Sequence, residues 1–143
     1  MTPTLLGRIQ SRLFLLLTVG LVWTLVLTPL LPRGFAPLGV AYTVTLTALG
    51  AVAVLGTLLW EPLYHLLQQF RWEKDWPAVI ILLQGAPEGV LAYLALRHGL
   101  ELPVQPGAFA VHFSTTWLLV FVFLHGPLRV PFLRWRFRGG RLI

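Results

Sequence analysis

Residues 13–31, LFLLLTVGLVWTLVLTPLL, run through nineteen positions without one ionisable side chain. At about 1.5 Å per residue, a helix of that length covers about 28 Å, close to the roughly 30 Å hydrocarbon core of a bilayer. Three further apolar runs follow, at 38–60, 78–96 and 108–128. The connections are short and rich in helix breakers, with Pro32, Gly34 and Pro37 in the first and Pro103, Pro106 and Gly107 in the last. The predicted fold is all-α: a polytopic membrane protein in which residues 1–143 form one four-transmembrane-helix bundle.

Composition points the same way. Hydrophobic residues fill 57% of the 143 positions and charged ones 11%, with a mean hydropathy of +0.78. A water-facing domain of this size needs polar groups over most of its surface, and 11 basic plus 5 acidic side chains do not supply them. Cysteine is absent, which excludes disulfides, thiolate metal sites and thiol nucleophiles. Arg8 and Arg12 resemble the basic start of a signal peptide. The apolar run is too long for a signal core, however, and Thr28 to Pro32 offers no small-x-small cleavage site, so a retained helix is expected.

Orientation follows from the placement of Arg and Lys. With an N-terminus inside, Arg8, Arg12, Arg71, Lys74 and the five arginines of the tail 129–143 lie on the inner side, and only Arg33 and Arg97 on the outer. The positive-inside rule then places both termini in the cytoplasm of a multi-pass protein, expected in a bacterial plasma (inner) membrane. Trp60, Tyr64, Trp72, Trp76 and Trp135 fall at the inner interface, and Phe35 and Tyr42 at the outer. Between Leu58 and Phe70, apolar residues recur at helical spacing around Glu61, His65, Gln68 and Gln69. That pattern predicts an amphipathic continuation of the second helix lying against the headgroups, followed by a solvated polar turn.

Chemistry concentrates in the third run. Gln84-Gly85-Ala86-Pro87-Glu88-Gly89 places a carboxyl, a proline and two glycines near mid-span. Proline removes the donor for the Leu83 carbonyl and glycine weakens the ladder, so the third helix should be kinked or broken there. A carboxylate at that depth costs roughly 2.5–3.5 kcal/mol on insertion scales and must face other helices or water. Counting about 1.5 Å per residue from the outer boundary puts Thr115 and Thr116 of the fourth run level with Glu88, and His112 one turn away. Gln84, Glu88, His112, Thr115 and Thr116 are therefore the candidate substrate or proton site. One His and one Glu make a poor metal site, and no metal or other cofactor is expected.

Elsewhere the residues suit contact. Thr43, Thr47, Gly50, Val54 and Thr57 form a line of small and hydroxyl residues on the second run, read as a packing seam. Trp23 sits mid-span, where burial in a helix contact is expected. In the tail, Arg134, Trp135, Arg136, Arg138 and Arg141 alternate with bulky residues and are the candidates for contact with anionic lipid headgroups or a protein partner. Too few residues follow the last run for a nucleic-acid site.

No nucleophile with an oriented base and no phosphate-binding glycine loop is visible, so the reading is of a non-enzymatic protein, with an intramembrane lipid-modifying enzyme as the remote alternative. Four helices with one embedded Glu resemble the plan of the small multidrug-resistance transporters. Those carry the carboxylate in the first helix and this chain carries it in the third, so no residue role is transferred. The expected function is an accessory, assembly or anchoring subunit of a larger membrane complex, with a protein partner or homo-oligomer in the bilayer. The alternative is a small oligomeric proton-coupled transporter or channel using Glu88.

Overall fold

The first helix begins well before its apolar run. Thr4 caps it, its hydroxyl accepting the Gly7 amide at 3.2 Å, and the helix then runs to Leu30. Arg8 and Arg12 thus lie inside the helix rather than ahead of it, because partners on other helices take up their charge. The computed structural model describes residues 4–32, 36–71, 76–131 and 137–143. These form four helices long and apolar enough to cross a membrane: α1 (Leu5–Leu30), α2 (Leu38–Gln69), α3 (Ala78–Gly99) and α4 (Pro106–Arg129). The spans expected from sequence are exceeded most at α2, which continues past residue 60 to Gln69.

That continuation differs from the predicted surface segment in its polarity. A π-helical turn over Gly56–Trp60 inserts one extra residue per turn and rephases the helix. The inward series Thr45, Ala48, Leu49, Val52 and Gly56 is followed, five positions on, by Glu61, Tyr64 and Gln68. Leu58, Leu59, Leu63, Leu66 and Leu67 face outward. Polar residues point in and apolar ones out, the reverse of a helix resting on water. Pro62 follows the π turn, where the regular ladder is already interrupted, so its missing N–H does not end the helix.

In α3 the helix is interrupted at Gln84, between Ala78–Leu83 and Gly85–Leu94. Neighbouring side chains serve the loosened carbonyls: the Trp117 indole donates to Leu82 at 3.0 Å and the Tyr64 hydroxyl to Gln84 at 3.4 Å. Gly85 and Gly89 are notches, since a Cβ at either would collide with Trp117 or Phe113 of α4. Glycine here is a packing device as much as a weakness in the ladder.

Each helix packs antiparallel to its sequence neighbours, and α1 closes the ring against α4. The main apolar core joins Leu16, Leu49, Val52 and Ala92 to Phe109 and Phe113. Hydroxyls stitch the half away from the termini: Thr28 meets Thr45 at 2.8 Å, and Thr24 meets His112 at 2.9 Å. Trp23 donates to Thr115 at 2.9 Å, which places its ring in the α1–α4 contact. Leu17, Val22, Leu58, Val79, Leu83 and Val90 are each more than 60% exposed while Thr24, Thr28, Glu61 and Glu88 are buried, an inside-out distribution.

Both chain ends lie at one end of the bundle, called here the terminal end. The tail returns across the start of α1, where the Gly139 carbonyl accepts the Thr4 amide at 2.8 Å and the Gly140 carbonyl accepts the Ser11 hydroxyl at 2.9 Å. Gly139 and Gly140 have φ of 60° and 84°, a region that favours glycine, and a Cβ at Gly7 would collide with the Gly139 carbonyl.

Candidate functional site

The most concentrated polar chemistry lies at the terminal half of the bundle and begins with Arg8 and Arg12. Four positions apart on α1, they share one face and project between α2 and α3. Arg8 Nε donates to Glu61 Oε2 at 2.5 Å, and its Nη1 reaches Gln68 Oε1 at 3.4 Å. Arg12 Nε donates to Glu61 Oε1 at 2.7 Å. Its other two nitrogens form a fork on Glu88, at 2.6 Å to Oε2 and 2.9 Å to Oε1. Two guanidinium groups and two carboxylates thus form the chain Arg8–Glu61–Arg12–Glu88 with formal charges cancelling, and their side chains are 10%, 7%, 10% and 2% exposed.

Local structure makes each placement possible. The π turn brings Glu61 inward, and Pro87 sets Glu88 in the first turn of the second half of α3. Gly56 leaves room for Arg12, because a Cβ there would overlap its guanidinium. The same guanidinium lies 5.6 Å from the centroid of the Trp117 ring. The Arg12–Glu88 fork spans the bundle's α1–α3 diagonal. Bidentate geometry gives charge-assisted bonds, and removing one member strands a buried charge at a cost of about 3–5 kcal/mol.

The predicted site residues are divided by this arrangement. Glu88 meets Arg12 rather than His112. The imidazole of His112 pairs with Thr24 on α1. Thr115 donates to the Val111 carbonyl at 2.7 Å while accepting Trp23. Gln84, His112 and Thr116 do share one feature, a cavity of about 610 Å³. Thr116 is buried, and its hydroxyl has no hydrogen-bond partner among the described residues. The cavity also reaches Arg8, Arg12 and Glu61, and ends among Arg129, Phe137 and Gly140 at the terminal end. No cluster of three or more metal-ligating side chains occurs among the described residues.

Of the tail candidates, Arg134, Trp135 and Arg136 lie outside the described residues. Arg138 and Arg141 are exposed, and Arg141 Nε lies 3.4 Å from the Thr4 hydroxyl. Sequence reasoning missed Arg8, Arg12 and Glu61 as a unit. It assigned the arginines to the membrane flank and Glu61 to the solvated polar side of the cytoplasmic segment, whereas Glu61 is 5% exposed. Two signals were present: the four-residue spacing of the arginines, and a glycine at position 56 able to admit a bulky cation. Comparison with protein-family models, curated proteins and solved structures finds no match to this chain.

Proposed function

We propose that this chain is a multi-pass integral membrane protein, with both termini cytoplasmic, that acts as an accessory or anchoring subunit of a larger membrane complex. The observation that carries the proposal is the outward face of α2. Thr43, Gly50 and Val54, three of the seam residues, are exposed together with Gly39, and a Cβ at Gly39 or Gly50 would meet nothing within 4 Å. Small residues turned toward lipid gain no packing, but they let a second helix approach closely, the usual arrangement where membrane helices associate. The ion-pair chain supports a scaffold role, since it ties α1, α2 and α3 together and occupies both oxygens of Glu88.

The experiment is recovery from mild detergent followed by mass measurement, comparing the natural chain with Gly50→Leu. The expected result is a complex heavier than the 16.0 kDa chain that is lost in the variant while the helical content is kept. A lone 16.0 kDa chain, or a complex indifferent to Gly50→Leu, refutes the proposal. The second reading, an oligomeric proton-coupled transporter using Glu88, draws on the cavity that reaches Gln84, His112 and Thr116. It requires pH-dependent flux in liposomes that Glu88→Gln abolishes without loss of folding.

A further inference from the structure

The cavity has a graded lining. Toward the terminal end it meets Arg8, Ser11, His125 and Arg129, and further in its wall is mostly apolar, with Leu16, Leu49, Val52, Phe113 and Val120 around the polar groups of Gln84, His112 and Thr116. Its contact with α4 extends from Phe109 to Arg129, twenty-one residues that cover about 24 Å of α-helix to His125 and then the short 3-10 turn Pro127–Arg129. The space thus extends along much of α4. At the roughly 30 Å³ that a water molecule occupies in the liquid, 610 Å³ holds about twenty non-hydrogen atoms, within the usual size range of ligand sites.

Charge at the open end is unbalanced. Arg8 and Arg12 are matched by Glu61 and Glu88, but Arg129 is exposed and has no ion-pair partner among the described residues. Arg138 and Arg141 add positive charge at the same end. Phe137 at this end is 84% exposed, so the cavity's rim meets the surroundings there. Inside, the Thr116 hydroxyl is an unmet hydrogen-bonding group on a residue only 6% exposed.

We propose that this cavity binds a single-chain anionic amphiphile, its carboxylate or phosphate head beside Arg129 and its aliphatic chain running inward between α1 and α4. One chain fits the volume, the basic side chains gather at the terminal end while apolar ones predominate further in, and the entrance lies where headgroups of the inner leaflet would meet the bundle. The inference is independent of the subunit proposal, because the seam on α2 and this cavity share no residue.

The test is native mass spectrometry of the full chain released from detergent micelles, titrated with oleate, oleoyl lysophosphatidate and neutral monooleoylglycerol. The expected result is one bound molecule, with either anion held at least tenfold more tightly than the neutral glyceride. The two anions then distinguish a carboxylate source from a phosphate source. Arg129→Gln should bring the preference for an anion below threefold, and Val120→Trp, which fills the cavity, should abolish binding of all three. If Val120→Trp does not fold, Thr116→Met fills the same space without removing a formed hydrogen bond, and it should weaken binding at least tenfold. Equal binding of the neutral glyceride, or retention of all three ligands after the cavity is filled, overturns the proposal.

Discussion

Replacing Arg12 with Met removes the centre of the ion-pair chain while keeping most of the side chain's length. Glu88 then loses both bonds of its fork, and Glu61 keeps only Arg8. With charge centres about 4 Å apart and an effective dielectric of about 20, each Arg–Glu attraction is worth about 4 kcal/mol before desolvation is subtracted. Stranding buried Glu88 should therefore destabilise the bundle by about 3–5 kcal/mol. The double variant Arg12→Met with Glu88→Gln removes one charge of each sign and leaves the Arg8–Glu61 pair intact. It should be more stable than Arg12→Met alone, with a coupling of about 2–3 kcal/mol. The assay is unfolding by sodium dodecyl sulfate from dodecyl maltoside micelles, followed by circular dichroism. A single-variant loss under about 1 kcal/mol, or strictly additive losses in the double variant, would show that the fork does not hold the α1–α3 diagonal.

Two further outcomes are expected in the same assay. Thr24→Val deprives the buried His112 of its hydrogen-bond partner and should cost about 1–3 kcal/mol, whereas Thr43→Val, on the exposed seam, should change stability by less than about 0.5 kcal/mol. Gly7→Val drives a side chain into the Gly139 carbonyl, so the tail should leave α1. The reading is amide exchange: protection at Thr4 and Leu142, whose amides bond Gly139 and Gln10, should be lost while that of α2 and α3 persists.

Much of the architecture was legible along the chain. Uninterrupted apolar length identifies a membrane-scale helix whatever its neighbours are, and four such runs separated by Pro and Gly give four helices. Proline at 87 likewise announced an interruption in α3, because the lost donor is a property of the residue. Helix ends and phases were harder to read. The start of α1 at Leu5 depends on a Thr4 cap and on partners for Arg8 and Arg12 that lie 53 and 76 positions away at Glu61 and Glu88. The continuation of α2 depends on a π turn, which shifts by one position the face that a regular period assigns inward.

The linear order of residues thus determined how many helices form, because hydrophobic length and backbone restriction act within a short stretch of chain. Pairing was decided only by tertiary structure. Glu88 could meet His112 or Arg12 on grounds of composition, and the choice fell to the rotation of α1, the notch at Gly56 and the rephasing of Glu61. Electrostatic partnership needs atoms within about 3 Å, and only the packed arrangement of all four helices sets distances that finely.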